Sequence, residues 1–365
     1  MIQTIFKLSK TSFLSLTLLL FFSGGVVIAA EDGCQSSGDY SFVCGPQNAE
    51  DLVLVPGTKW IISSGMGPGA SLYLIDSQQK SWTEFYPAGT PRARQDMKTY
   101  GACPGSPDPN SFITHGLNMR AGENGHSMLY VVGHGEREAI EVFDIDASGP
   151  HPELTWIGCI MMPEGMVANS VASFSDGSLV ATVPLYPGKT IEEAFAGELT
   201  GAVYEWSPGS SGFQMVEGTE LPYANGIEVS ADGQEIYVAS SVLLTMTAYS
   251  HSKPARKLRT TEPMTFIPDN LHMGNDGQLI TAGLTATYPI CDNGENNGEF
   301  DLEKFASCPR PFIVKSIDPQ TMQGTDIARS PAIKQFSNIT MGLVVGDNIW
   351  IGTFAGDRIA YVSVR

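Results

Sequence analysis

The chain has 365 residues, of which 39 are Gly, 23 are Pro and 42% are hydrophobic. This composition supplies an ample core and many turns, and it favours one large all-β array over a bundle of long helices. The formal net charge of −18 excludes nucleic acid as an expected partner, because an acidic surface repels phosphate backbones.

Residues 1–30 have the pattern of a secretory signal peptide. Lys7 and Lys10 precede an apolar run from Phe13 to Ala30, which ends in small residues. An uncleaved membrane anchor is the alternative, since the run is near the lower length for a membrane-spanning helix. We therefore expect a secreted or periplasmic protein in which residues 31–365 form a single domain without a further membrane span.

The remaining chain repeats one plan, a polar residue followed by a β-hairpin. In its clearest copy, Asn225–Ser240, Asp232-Gly233 separates two apolar-rich runs, which is a strong signal for a tight hairpin turn. Five further copies begin at Glu50, His115, Asn169, Asp269-Asn270 and Thr340. Six copies predict an all-β fold, a six-bladed β-propeller with a central metal-binding channel.

The predicted blades follow in chain order. Their strands lie within Leu52–Tyr86, Met128–Asp144, Val171–Trp206, Asn225–Tyr249, Leu271–Ser316 and Leu343–Ser363. Thr190–Leu199 is the one segment that predicts a short helix. Insertions longer than ordinary connections usually carry function or are disordered. We expect three of them to cover one face of the propeller as a lid or substrate wall: Pro87–Ser111, Leu185–Thr200 and Leu284–Arg310.

Six cysteines in an exported chain indicate disulfide bonds. The sequence does not decide among their possible pairings. Proximity favours Cys34 with Cys44 and Cys291 with Cys308, which would leave Cys103 for Cys159. None of the spacings is typical of a zinc site.

In a propeller the first residues of the innermost strands point towards the central channel. The repeat register therefore gathers oxygen-bearing side chains around one axis: Glu50, Asn169, Asn225, Asp269 or Asn270, and Thr340. Carboxylate and amide oxygens suit a hard divalent cation, calcium before magnesium, because magnesium demands a tighter octahedron. The alternative is that these residues only begin strands, their side chains bonding to the local backbone.

Two histidines stand out against this ring. His115 falls in the same register, and His134 ends the second strand of the same predicted hairpin. Imidazoles close to a cation would have lowered pKa values, which would leave a neutral base. The other histidines, His126, His151, His251 and His272, are expected in loops or on the surface. Neither a Gly-x-Ser-x-Gly nor a His-Glu-x-x-His motif occurs.

Together these segments resemble the calcium-dependent six-bladed propellers that include paraoxonases, with strictosidine synthases and regucalcin-type gluconolactonases as more distant relatives. The matching segments are Ala49–Leu52, Thr114–Gly116, Val131–His134, Ala168-Asn169, Tyr223–Ile227 with Asp232-Gly233, and Pro268–Asn270. The resemblance implies a catalytic calcium that polarises a lactone or ester carbonyl, with His115 as the base and His134 as its proton-relay partner. The implied calcium ligands are Glu50, Asn169, Asn225, Asp269 and Asn270.

The sequence departs from the paraoxonase pattern at two points. A second, structural calcium would use Asp51 and a carboxylate after Asn169, but Ser170 stands there. A further active-site histidine after the Asp-Asn pair is absent. The expected function is an exported calcium-dependent lactonase or arylesterase acting on a small molecule. The alternatives are a sugar lactonase of the gluconolactonase type and a non-catalytic propeller that binds a ligand or partner.

Overall fold

A computed structural model of the chain describes residues 34–67, 72–89, 91–291, 295–296 and 299–364. The predicted signal peptide, residues 1–30, lies outside these ranges. Gln35–Arg365 forms one compact unit by itself. Its strands form six small sheets around a common centre, which confirms the predicted six-bladed β-propeller.

The blades are antiparallel sheets apart from one parallel edge strand in the second, and each except the last takes its strands from one continuous stretch of chain. Strand β1 (Ser41–Cys44) comes first in the chain and belongs to the last blade. The first blade contains β2 (Leu52–Leu54), β3 (Trp60–Ser63), β4 (Leu72–Asp76) and β5 (Ser81–Tyr86). The second contains β6 (Arg92–Ala93), β7 (Ile113–Ala121), β8 (His126–His134), β9 (Ala139–Asp146) and β10 (Glu153–Met161), with β6 parallel to β10 at its outer edge.

The third blade contains β11 (Val171–Ser173), β12 (Leu179–Val183), β13 (Ala202–Trp206) and β14 (Gln214–Met215), with helix α1 (Ile191–Phe195) between β12 and β13. The fourth contains β15 (Ala224–Val229), β16 (Glu235–Ser240), β17 (Thr245–Ser250) and β18 (Lys257–Thr260). The predicted Asp232-Gly233 turn joins β15 to β16.

The fifth blade contains β19 (Leu271–Met273), β20 (Leu279–Leu284), β23 (Phe312–Ile317) and β24 (Gly324–Ser330). A small hairpin, β21 (Glu295–Asn296) with β22 (Glu299–Phe300), and helix α2 (Leu302–Ala306) are inserted between β20 and β23. The sixth contains β25 (Ile339–Val345), β26 (Asn348–Thr353) and β27 (Arg358–Ser363), with β1 as its outer strand.

The ring of blades is closed by pairing between the two ends of the described chain. Strand β1 pairs antiparallel with β27, from Ser41 opposite Tyr361 to Cys44 opposite Arg358. Sequence reading assigned no blade to β1, because a single short strand carries no repeat signal. The pairing covers the outer edge of β27, which would otherwise present unpaired backbone groups.

Both helices are short. The predicted helix within Thr190–Leu199 is confirmed as α1, whose N-cap Thr190 forms a capping box with Glu193. Helix α2, capped by Asp301, was not predicted. Each helix has five residues, so within the described ranges neither is long enough to cross a bilayer.

Two disulfide bonds have defined partners, and both match the pairing favoured from the sequence, one by proximity and one as the pair that remained. Cys103 is bonded to Cys159 and Cys291 to Cys308. Cys34 and Cys44 are disulfide-bonded as well, so no described cysteine is free. The first bond ties the Pro87–Ser111 insertion to β10, and the second closes the Leu284–Arg310 insertion at its base.

Packing between blades stabilises the closed ring. The side chain of Ile359 in β27 is fully buried, in a cluster with residues of the first and last blades. Ile359→Ala should lower the free energy of unfolding by about 2–5 kcal/mol, because lost apolar contacts add to the cost of a cavity. The measurement is urea-induced unfolding at equal denaturant slope. Val364→Ala, which is 47% exposed, is the control, and an equal midpoint shift in both variants would contradict the closure argument.

Candidate metal and catalytic site

The innermost strands bring the predicted ring together at one end of the central channel. A cavity of about 670 Å³ opens there. Its floor is lined by one predicted residue from each blade: Glu50, His115, Asn169, Asn225, Asp269 and Thr340. Asn270 does not line the cavity. It is fully buried, and its amide donates to Oε1 of Glu50 at 2.6 Å.

Irregular strand pairing determines the direction of several of these side chains. The ladder between β7 and β8 shifts register between Thr114 and Leu117, the interval that contains His115. The ladder of β15 shifts between Ala224 and Ile227, around Asn225, and that of β25 shifts at Thr340. A bulge bends the strand and redirects a side chain that would otherwise alternate with the pleat. The remaining ring residues, Glu50, Asn169 and Asp269, each lie two positions before the first residue of β2, β11 or β19, and so at strand entrances.

Position 226, directly after Asn225, has no room for a side chain. A Cβ atom at this position would lie 2.2 Å from the backbone oxygen of Asp269, a distance that real Cβ atoms do not show. The absence of a side chain therefore lets the fourth and fifth blades approach closely. This contact brings Asn225 and Asp269, two of the predicted oxygen ligands, next to each other.

Four buried oxygen atoms on or next to the floor of the cavity have no hydrogen-bond partner among the described residues. They are Oε2 of Glu50 and the Oδ1 atoms of Asn169, Asn225 and Asn270. Buried acceptors are normally satisfied, since an unmade hydrogen bond costs about 1–3 kcal/mol. Four unsatisfied acceptors on neighbouring side chains form the donor set that a hard cation prefers.

The floor also holds two buried carboxyl groups whose pKa values are raised. Burial raises the pKa of Glu50 well above its ordinary value, and the nearby carboxylates of Asp51 and Asp269 raise it further. Burial likewise raises the pKa of Asp269. Among the described residues no group of three or more His, Cys, Asp or Glu side chains is arranged to hold a metal. Any cation on this floor would therefore depend on the amide oxygens of the asparagines.

His115 and His134 are hydrogen-bonded to each other. Nδ1 of His115 lies 2.9 Å from Nε2 of His134, and Nε2 of His115 lies 3.8 Å from Oε1 of Glu50. Burial, followed by the neighbouring His134, lowers the pKa of His115 to about 3. His115 faces the cavity, whereas His134 does not line it. Behind His134, Oε2 of Glu138 lies 2.6 Å from Nδ1, a contact that sequence reading missed.

His272 corrects one prediction. It was expected in a loop or on the surface, but it lies in β19 with 7% exposure. Its Nε2 is 2.8 Å from Oδ1 of Asp51 and its Nδ1 is 3.9 Å from Oε2 of Glu228. Burial opposes the charged form of His272, but the two carboxylates outweigh it and raise the pKa to about 10. Strand β19 has three residues, which are too few for an alternating pattern to indicate that its histidine is buried.

Two of the three long insertions form the wall of the cavity. Helix α1 of the second insertion and β22 with α2 of the third are joined where the backbone N–H of Phe300 donates to Glu192 at 2.7 Å. The ring of Phe300 also contacts Phe195, with 5.8 Å between centroids. The expectation was wrong for Pro87–Ser111, since none of its described residues lines this cavity. It borders a small cleft beside His134 through Pro107, Asp108 and Ser111.

Above its polar floor the cavity is lined mainly by apolar side chains. They come from the two insertions and from loops of the blades: Met66, Ile191, Phe195, Val242, Leu244, Ile267, Ala286, Phe300, Leu302, Phe305 and Phe354. Tyr223 also lines it, with a positive φ of 50° that is uncommon outside glycine. None of these residues belongs to the repeat pattern, so the sequence offered no register by which to place them.

The architecture matches solved structures with low sequence identity. A gluconolactonase from Xanthomonas campestris superposes with a TM-score of 0.52 at 15% identity, over 89% of this chain and 89% of that one. The calcium-binding protein regucalcin from Agrobacterium tumefaciens gives 0.51 at 11%, over 88% and 92%. A luciferin-regenerating enzyme gives 0.51 at 12%, over 88% and 93%. At these identities the likeness establishes the fold alone.

No curated protein sequence matches the chain. A family profile does, and it is described as the SMP-30/gluconolactonase/LRE-like region. The match runs over residues 66–288, more than half of the chain. It covers parts of five blades and includes four of the predicted floor residues, and it bears out the predicted relation to regucalcin-type gluconolactonases. The chain therefore belongs to the SMP-30/gluconolactonase/LRE-like family.

Proposed function

We propose that this chain is an exported, calcium-dependent hydrolase of lactones or aryl esters. One observation carries the proposal. Four buried oxygen atoms, on Glu50, Asn169, Asn225 and Asn270, have no hydrogen-bond partner among the described residues. The first three of these residues line the floor of a cavity that a neutral His115 also faces, and Asn270 is hydrogen-bonded to Glu50. Metal-assisted attack of water on a carbonyl requires oxygen ligands for the metal and a neutral base beside them.

The donor set fits a calcium ion. Glu50, Asn169, Asn225, Asp269 and Asn270 would hold it, because two carboxylates balance its charge and amide oxygens complete its preferred coordination. The raised carboxylate pKa values fit the same reading, since buried like charges are unfavourable until a cation compensates them. When bound, such an ion polarises the substrate carbonyl and stabilises the developing oxyanion.

His115 would act as the general base. Burial keeps the imidazole neutral, and the hydrogen bond from its Nδ1 to His134 leaves Nε2 free to accept a proton from water. Nε2 lies 3.8 Å from Oε1 of Glu50, one of the residues that would hold the ion. His134 would take the proton displaced from Nδ1, so that the dyad shares the positive charge.

Export is supported by the disulfide bonds. Disulfides persist in oxidising compartments and are rare in the cytosol, and all six cysteines of this chain are bonded. A cleaved signal peptide at residues 1–30 would deliver the chain to such a compartment, secreted or periplasmic. The mature domain would then be residues 31–365.

The cavity wall favours an apolar or aromatic substrate over a sugar lactone. A polyhydroxylated ring needs hydrogen-bonding partners on several sides, whereas the wall above the floor is mainly apolar. Family membership makes the sugar lactonase the second candidate, because gluconolactonase gives the family part of its name. In that reading the calcium and a carboxylate would perform the chemistry without the histidine dyad.

We further propose that the channel holds one ion instead of two. The Asp51 carboxylate accepts hydrogen bonds from Leu52, Leu117 and His272 at 2.7–2.8 Å. Glu228 accepts from the backbone of Val229 and Met273. The imidazolium of His272 between these carboxylates supplies the positive charge that a second cation would otherwise provide.

Chelation and substitution test the function together. Hydrolysis of a lactone and aryl-ester panel should fall to background with chelator and return with calcium. His115→Gln should lower kcat by about 10²–10⁴-fold, the usual contribution of a general base. His126→Gln, in an exposed pair with Asp144, is the control and should match wild type. Absence of turnover, with calcium still raising the melting temperature, would favour a binding propeller.

Substrate preference separates the two hydrolase candidates. In a series of lactones with lengthening alkyl groups, kcat/KM should rise up to about fourfold per methylene, from about 0.8 kcal/mol per buried CH₂. Gluconolactone should be a poor substrate. Phe195→Ala should flatten the series while leaving the smallest lactone unaffected. A preference for gluconolactone that survives His115→Gln would support the sugar lactonase instead.

The role of His272 is tested by stability. His272→Ala should lower the free energy of unfolding by about 3–5 kcal/mol, because it leaves Asp51 and Glu228 buried without their cation. Thermal and urea unfolding would be compared with those of His126→Ala, whose exposed ion pair should contribute little. Calorimetric titration of wild type should give one calcium per chain, and a second equivalent would contradict the single-ion proposal.

A further inference from the structure

The carboxylate of Glu138 stands at the outer end of the histidine pair. Its Oε2 lies 2.6 Å from Nδ1 of His134, and Nε2 of His134 lies 2.9 Å from Nδ1 of His115. The three side chains therefore form a continuous hydrogen-bonded row that leads away from the cavity. Exposure increases along the row, from 14% for the His115 side chain to 32% for that of Glu138.

The loop between β8 and β9 holds Glu138 in this position. Gly135, which follows His134, has a φ of 114°, and a Cβ atom there would lie 1.9 Å from the backbone oxygen of Ser111. The chain therefore turns tightly at a place that excludes other residues. At the other end of the loop, the backbone oxygen of Glu138 accepts from Met162 at 3.0 Å.

Arg137 fixes the middle of the same loop. Its Nε donates to Oε1 of Glu141 at 2.8 Å, and its guanidinium also donates to the backbone oxygen of Gly105. Glu141 is buried and accepts from Trp156 at 2.7 Å. Arg137 is thus neutralised by Glu141, which leaves the neighbouring Glu138 free to face His134.

The row has a single direction of donation. An ionised carboxylate only accepts hydrogen bonds, so Nδ1 of His134 must donate to Glu138. In neutral His134 the other nitrogen, Nε2, then accepts, and Nδ1 of His115 must be its donor. Nε2 of His115 is left with a lone pair, on the side of the ring that faces Glu50 and the cavity.

We propose that Glu138 is the positioning residue of the dyad, which sets the tautomers of both histidines and stabilises the proton that His134 receives. The inference rests on the proposed function for its kinetic consequence, but the tautomers belong to the protein without substrate or metal. A residue four positions beyond His134, outside the cavity, would thereby decide which nitrogen of His115 is basic.

The proton balance follows from the row. As water attacks the carbonyl, one water O–H bond breaks, its electron pair forms the new C–O bond, and the proton binds Nε2 of His115. The proton on Nδ1 of His115 passes to Nε2 of His134, which becomes an imidazolium beside the Glu138 carboxylate. Breakdown of the tetrahedral species returns a proton to the leaving alkoxide. The acid product ionises at neutral pH, and the net proton can reach solvent past the partly exposed Glu138.

The tautomers of His115 and His134 can be measured without an activity assay. In ¹⁵N–¹H correlation spectra of the histidine rings of the metal-free protein, both His115 and His134 should be protonated at Nδ1. Glu138→Ala should abolish this pattern, whereas Glu138→Gln, whose amide oxygen can still accept from Nδ1, should retain it. Glu136→Ala removes the same charge from an exposed neighbouring residue and should leave the spectrum unchanged. Retention of both Nδ1 protons in Glu138→Ala would overturn the proposal.

Steady-state kinetics test whether the negative charge of Glu138 contributes to turnover. Glu138→Ala should lower kcat by about 10- to 100-fold, the cost of removing carboxylates that orient metal-bound histidines. KM should change less than about twofold, because Glu138 does not touch the cavity. Glu138→Gln should also lose kcat while keeping the tautomers, and Glu136→Ala should lose none. Wild-type kcat in Glu138→Gln would overturn the charge role, whereas an inactive wild type with the predicted spectrum would refute the hydrolase proposal alone.

Discussion

Two adjacent buried carboxylates set the main constraint on this propeller. Glu50 and Asp51 stand side by side at the entrance to β2, with 1% and 0% exposure. Negative charge at the centre of a protein is unfavourable unless it is compensated. Alternating directions of successive side chains send the two groups to different parts of the channel. Asp51 meets the imidazolium of His272, whereas Glu50 faces the cavity with one oxygen unsatisfied.

The two carboxyl groups are compensated in different ways, and this difference divides the channel into two parts. Where His272 compensates the charge, three hydrogen bonds satisfy both carboxylate oxygens of Asp51. Where it does not, the side chains around Glu50 leave their oxygens unpaired, and the proposed calcium is the missing charge. In the proposed function this division separates structure from chemistry, because the Asp51 side stabilises the blades and the Glu50 side would face the substrate.

The proposed chemistry and substrate selectivity depend on different parts of the chain. The floor is built from innermost strands, whose rigid pairing and bulges fix the direction of each polar side chain. The wall comes from insertions that leave the blades and meet through Phe195 and Phe300. Insertions of this kind can change without disturbing the sheets, which is how one family scaffold can serve different substrates.

The repeat pattern determined the fold and the composition of the floor. Six hairpins with polar leading residues predicted six blades, and the register alone gathered His115, Asn169 and Asn225 from distant parts of the chain. This works because blade symmetry converts equal positions in a repeat into neighbouring positions in space. The same reasoning missed whatever lies outside the register: strand β1, helix α2 and the apolar wall.

The sequence by itself thus determined the blade count, the polar ring, the first helix and the pairings of Cys291 with Cys308 and of Cys103 with Cys159. These features depend on local pattern or on symmetry. Only the tertiary structure decided that His272 is buried between two carboxylates and that Glu138 reaches back to His134. Both are contacts between side chains that only a turn or the channel brings together. Such contacts depend on packing geometry, which neither periodicity nor residue type encodes.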